Sequence, residues 1–275
     1  MIAFGADDEG VPFHELAAER AALPADDPIE IAPPGYRGKR LLPVLSWLVT
    51  NRVAERPARA TWRVERRHGP DYARRMLEPY GWTLEPERAA RWLLLHGDVP
   101  AAHELPPPRS FEAHGVTFEA DYGVFSPHRV DPGSELLLEL AAAGEPVEKV
   151  ADIGTGYGAL AILLVRRGLA QRALATEVDS ISAWLAERNA ARAGVEMRLE
   201  LDPDPLAFAA TPLTVCNVPT HLDAVRTAAL MDGLAQRARQ GRLLAVVHAG
   251  LEERYARHLP GAARHRSGDH VVLAI

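Results

Sequence analysis

The chain has 275 residues, 47% of them hydrophobic and 25% charged, with a formal net charge of −6. That length suits one large α/β domain beside a smaller unit; no apolar run is long enough for a bilayer span, and the net charge excludes a uniformly cationic nucleic-acid binder. A single cysteine, Cys216, excludes an intrachain disulfide and a multi-cysteine zinc site.

The first ten residues carry acidic side chains and no basic ones, unlike a secretory leader, so a cytoplasmic setting is expected. Charge is unevenly spread. Residues 1–35 hold one arginine against eight acids, residues 36–92 hold 13 Lys/Arg against six, and the remainder hold 17 against 23. The basic middle segment reads either as a phosphate-facing patch or as an arginine-rich solvated surface.

In chain order, the pattern predicts a helix over 12–22 and a proline-broken stretch over 24–35. A helix over 41–53, a strand over 60–64 and helices over 71–79 and 85–95 follow. Pro106-Pro107-Pro108 cannot continue a helix, and a boundary is expected there, between an N-terminal α+β domain (1–108) and a larger domain (109–275). A strand over 116–118 and a helix over 133–143 open the larger domain. Strand and helix then alternate: strand 148–153, helix 157–168, strand 172–177, helix 180–193, strands 196–201 and 212–216, helix 222–239, strand 242–248, helix 250–258. A β-rich tail over 271–275 suits an antiparallel hairpin closing one edge. Short connections predict a mainly parallel, Rossmann-like sheet of seven strands with helices on both faces.

The sharpest local pattern is Val150-Ala151-Asp152-Ile153-Gly154-Thr155-Gly156-Tyr157-Gly158. Glycines permit a sharp turn and close ligand approach, and the following helix offers free N–H donors. A dinucleotide site would use similar glycines, but it gains nothing from an anion beside a pyrophosphate. Asp152, two residues before the first glycine, instead suits the ammonium of S-adenosylmethionine (SAM). Glu177, at the tip of the second strand, suits ribose hydroxyls. Asp179 suits a helix N-cap. Asp202, ending the third strand, suits an adenine amino group or a plain loop position before Pro203. The fourth strand ends in Asn217-Val218-Pro219, where an amide oxygen and the next carbonyl can accept both N–H bonds of an amine and aim its nitrogen at a methyl donor. No metal or covalent nucleophile is required, and Cys216 inside the strand reads as a small buried hydrophobe.

These residues resemble the "methyltransferase small" family, above all its small-subunit ribosomal RNA guanine-N2 methyltransferases. The likeness spans about residues 111–275. It includes Tyr122-Gly123-Val124-Phe125-Ser126, then Asp131, Gly133, Ser134 and Leu136-Leu137-Leu138, and continues through Asp152, Glu177, Asp202 and Asn217–His221. It implies that Phe125 and the Gly133 turn flank SAM, and that Asn217, Val218 and Pro219 hold a base amine in RNA. DNA and membranes are not expected partners. The chain departs from the family pattern, Asn-Pro-Pro followed by Phe or Tyr, at Val218 and Thr220. Loss of a stacking aromatic leaves a small-molecule amine, or a SAM-binding scaffold without activity, as alternatives. The family's RNA enzymes often carry an N-terminal degenerate copy of the fold, and residues 69–77 after strand 61–64 look like a piece of one.

Overall fold

The computed structural model describes residues 2–3, 29–32, 39–52, 58–65, 70–90, 92–202, 204–220 and 222–275. The helix expected over 12–22, and His221, lie outside them. The described residues fall into two compact units, Met1–Arg109 with Asp121–Val124, and Ser110–Ala120 with Phe125–Ile275.

The second unit is built on a seven-stranded sheet, taken over the described residues. Its strands are β8 (Val147–Ile153), β9 (Ala170–Glu177), β10 (Met197–Leu201), β11 (Leu213–Asn217), β12 (Arg242–His248), β13 (Ala263–Ser267) and β14 (His270–Ala274). They lie in the order β10-β9-β8-β11-β12-β14-β13; the first five are parallel, and β14 runs antiparallel to both its neighbours. The helices are α3 (Pro132–Ala142), α4 (Ala159–Arg166), α5 (Ser180–Ala193), α6 (Ala224–Ala238) and the short α7 (Glu252–Ala256), which a 3-10 turn precedes. This is the α/β sheet expected from the alternation. Ala151, Ile153, Cys216, Val218, Met231, Leu234 and Tyr255 share one of its buried cores. Burial pushes the Cys216 thiol up, away from the reactive thiolate.

The strand expected over 116–118 is β7 (Val116–Glu119), and its partner β6 (Ser110–Ala113) was not expected. The turn between them places His114 and Gly115 both at positive φ, which matches the twist of a two-residue hairpin. Asn189 fastens β7 to the loop after β8. Fully buried on α5, it accepts from Glu119 N (2.8 Å) and donates to the carbonyls of Glu119 and Tyr157 (both 2.9 Å). Arg237 does similar work on α6, donating to the carbonyls of Pro205, Phe208 and Ala209 and so pinning the loop after β10.

In the first unit, α1 (Leu42–Arg52) and α2 (Pro70–Leu77) accompany β1 (Ile2–Ala3), β2 (Ile29–Ala32), β3 (Arg59–Glu65), β4 (Glu85–Ala89) and β5 (Trp92–Asp98). Two expectations fail here. Residues 85–95 form the β4–β5 hairpin and not a helix: Leu93 and Leu95 are buried in alternation with half-buried Trp92, Leu94 and His96, and Ala90 turns the chain at φ 41°. Within the proline-broken stretch, β2 is a central strand, parallel to β1 and β3. Trp62 and Trp82 are core, edge to face at 5.2 Å. Asp121 is gripped by Arg40 through both guanidinium arms and by the N–H groups of Arg109 and Tyr122. Burial alone would raise its carboxyl, but these donors hold it below the usual carboxylate range.

The described strands of this unit run β1-β2-β3-β5-β4, with the first two pairings parallel and the last two antiparallel. Strand for strand, that is the order and direction of β8-β11-β12-β14-β13. Counterparts of β9 and β10 are absent among the described residues.

Asn189→Ala strands three buried backbone groups at once and is expected to cost about 2–4 kcal/mol. Urea unfolding checks this; a loss under 1 kcal/mol would mean that Asn189 does not hold β7 to the loop.

Candidate active site

The loop after β8 turns through left-handed backbone at Gly154, Gly156 and Gly158, with φ of 72°, 60° and 88°. The three glycines answer different needs. A Cβ on Gly158 would sit 3.2 Å from Ala186 of α5, so this glycine lets α4 and α5 approach. At Gly154 and Gly156 nothing lies within 4 Å of where a Cβ would be, so the space above the loop is open. Thr176 O, on β9, accepts from the N–H groups of Gly154 and Thr155.

Asp152, the last residue but one of β8, is 1% exposed. Its Oδ2 accepts from Thr155 Oγ1 (2.7 Å) and from Ala161 N (3.1 Å). Burial pushes its carboxyl up to about 6, and the nearby Glu177 adds to the shift. Glu177 Oε2 accepts from Gly156 N (2.7 Å), while Oε1 accepts from Val178 and Asp179 N. Asp179 caps α5 through Ser182 N, as expected. Asp202, half-buried after β10, accepts from Asp204 N and shapes the loop there.

Asn217 is the last residue of β11. Its Nδ2 donates to Asp131 Oδ2 (3.0 Å) and Ser134 Oγ (3.1 Å). Val218 is buried, with its N–H on Val246 O; the Pro219 carbonyl accepts from Tyr255 Oη (3.3 Å); Thr220 is exposed. Phe125 is 66% exposed on the segment that leads to α3. Ser126 follows it at φ 48°, and the Tyr157 hydroxyl lies 3.2 Å from the carbonyls of Ser126 and Arg129.

The structure therefore gathers Asp152, Gly154, Gly156 and Glu177 into one hydrogen-bonded loop, with Asn217 ending the strand paired on the other side of β8. Asp202 follows β10, beyond β9. Sequence reasoning missed Thr155, which shields Asp152, and the contact of Asp131 and Ser134 with Asn217. Their presence in the segment before β8 was a signal; their partner was not.

The strand order and the open glycine loop, with acids near the C-terminal ends of β8, β9 and β10, are those of a SAM-dependent methyltransferase domain. The chain belongs to the methyltransferase small domain family, whose model matches residues 115–256. It is 36% identical over 133 residues to a ribosomal protein L11 methyltransferase from Geobacter sulfurreducens, covering 48% of this chain and 40% of that one. It is 37% identical over 76 residues to a ribosomal RNA small subunit methyltransferase C from Chromohalobacter salexigens, covering 26% and 23%. The chain thus matches less than half the length of these relatives. In fold it is similar to the T. thermophilus 16S rRNA N2 G1207 methyltransferase (RsmC) solved with AdoMet and guanosine, at TM-score 0.73 and 20% identity, over 93% of this chain and 74% of that one. No helix among the described residues is long and apolar enough to cross a membrane.

Because Asp152 binds its proton more tightly folded than unfolded, its stabilising contribution is complete below about pH 4 and is lost as pH rises through about 6. Asp152→Asn keeps an acceptor for both donors without the charge. It should gain on wild type by up to roughly 3 kcal/mol between pH 4 and pH 8. Urea unfolding across that range checks it; a pH-independent difference would contradict the assignment.

Proposed function

We propose that the protein methylates an exocyclic amine of a base in RNA, of the ribosomal guanine-N2 kind. One observation carries the reading: with both contacts of its Nδ2 made to Asp131 and Ser134, Asn217 presents its Oδ1 as an acceptor at the end of β11. An acceptor fixed there selects a substrate that offers N–H.

Asp152, Gly154, Gly156, Glu177 and Asp202 would hold SAM, with Phe125 beside it. The fit rests on the open space over the two glycines and on a buried carboxylate, Asp152, that has no cationic partner among the described residues. SAM supplies an electrophilic methyl group on a sulfonium. The chain supplies the aim. Asn217 Oδ1 and the Val218 carbonyl accept the two N–H bonds of the amine, which takes its lone pair out of conjugation with the ring. The same acceptors would stabilise the positive charge that builds on the amine nitrogen as it takes the methyl group, the sulfonium's C–S bond breaking to release S-adenosylhomocysteine, and the surplus proton would leave to water.

For the partner, the basic segment offers Arg74 and Arg75 on α2. Arg75 Nε donates to the Asp71 carbonyl, and neither arginine has an ion pair among the described residues. Arg66 and Arg67 lie outside those residues. A second reading, an amine on a protein or a metabolite, is favoured by exposed Thr220 standing where an aromatic would stack on a base, a contact worth about 1–3 kcal/mol.

Asn217→Ala should lower turnover by a factor of order 100–1,000 while leaving S-adenosylhomocysteine affinity within about threefold. The assay is methyl transfer from labelled SAM to transcribed small-subunit ribosomal RNA, with transfer RNA and ribosomal proteins as parallel acceptors. Label in protein alone selects the second reading, and near-normal turnover in the variant removes Asn217 from the mechanism. RNA affinity should fall with salt at a log–log slope of about −0.7 to −0.9 per phosphate neutralised, and replacing Arg74 and Arg75 with alanine should flatten it by one or two such steps. Filter binding at several salt concentrations reads this; a flat response in wild type argues against RNA.

A further inference from the structure

An asparagine amide has two ends of nearly the same shape and opposite polarity, one accepting and one donating. A methyl-transfer corner works with only one of them turned to the substrate. Nothing in the asparagine itself chooses.

We infer that Asp131 is a positioning residue that sets the polarity of Asn217; the inference rests on the amine reading above. An ionised carboxylate only accepts, so the Asn217 amide nitrogen must face Asp131 Oδ2, 3.0 Å away, and Oδ1 is turned the other way. Ser134 Oγ, 3.1 Å from the same nitrogen, takes the second contact. Turned round, Asn217 would set Oδ1 against the carboxylate, two acceptors at hydrogen-bond distance with no proton between them.

Asp131 is itself fixed. It is the N-cap of α3, its Oδ2 accepts from Gly133 N (2.9 Å), and its backbone carbonyl accepts from Glu135 N. A Cβ on Gly133 would lie 2.9 Å from both Asp131 Oδ2 and His270, so only glycine leaves that oxygen in place. One oxygen therefore serves two donors, the helix start and the Asn217 amide. The corner can then receive a hydrogen-bond donor and cannot offer one, which admits amines and disfavours carbonyl or carboxylate groups at the methylated position.

Two substitutions separate the cap from the positioning. Serine caps a helix about as well as aspartate but is too short to reach Asn217 from the same place. Asparagine can put its amide oxygen where Oδ2 sits and serve both donors. In the full chain, Asp131→Ser should keep its melting temperature and its S-adenosylhomocysteine affinity. Its kcat on transcribed small-subunit ribosomal RNA should fall about 10–100-fold with KM little changed, by analogy with the loss of a group that orients a metal ligand. Asp131→Asn should restore most of that rate. In a ¹⁵N spectrum, the Asn217 side-chain amide protons, assigned by their loss in Asn217→Ala, should exchange slowly in wild type and Asp131→Asn and faster in Asp131→Ser.

Wild-type kcat in Asp131→Ser overturns the inference, as does a loss of rate that only parallels lost cofactor affinity or lost folding. If the wild-type chain methylates no RNA, the amine-in-RNA reading falls. The amide exchange then decides the inference alone: Asn217 protons as labile in wild type as in Asp131→Ser overturn it.

Discussion

A carboxylate almost without access to water, Asp152 near the end of β8, the middle of the five parallel strands, is the constraint around which the second unit is arranged. A buried acid must find donors or give up its charge, and Asp152 does some of each: Thr155 and Ala161 donate to it, and its carboxyl is still held near 6. To bring Thr155 back over it the chain must turn at once after β8, and left-handed glycines make that turn. To bring Ala161 N to it, α4 must start close by, which the bare Cα of Gly158 permits against α5. Glu177 then closes the far side of the loop from the neighbouring strand.

Much of this was legible in the sequence and some was not, for physical reasons. Glycine spacing, strand-end acids and the alternation of β and α all depend on residues near each other in the chain, and these yielded the seven-stranded sheet and the N-cap at Asp179. Contacts between distant residues did not show. Asn217 and Asp131 are 86 positions apart, and nothing local to either names the other. Asn189 reads as one polar residue in a helix, and only the fold reveals three bonds to β7 and the glycine loop.

The failed expectations have separate causes. Glu85-Pro86-Glu87 looks like a helix start and Leu93-Leu94-Leu95 like its body, so local propensity favoured a helix. Pairing of β5 with both β3 and β4 outweighed it, because that alternation buries Leu93 and Leu95 while the charged stretch stays in water. Ile29–Ala32 was hidden by flanking prolines, which bound the strand without entering it. With these corrections the described strands of the first unit repeat five of the second unit's seven, and its β2 ends on Ala32 where β11 ends on Asn217.

The two hairpins that close the sheets share a further property. In β4 every residue but the last is exposed, with two glutamates, an arginine and a proline among the five; in β13 all five are exposed, and Arg264 and Arg266 pair with Glu252 and Glu253. An unpaired strand edge is a template for another chain, and charge and proline make it a poor one. Both units thus end in borders that resist edge-to-edge aggregation. An apolar surface replacement in either hairpin would threaten solubility before it touched the fold.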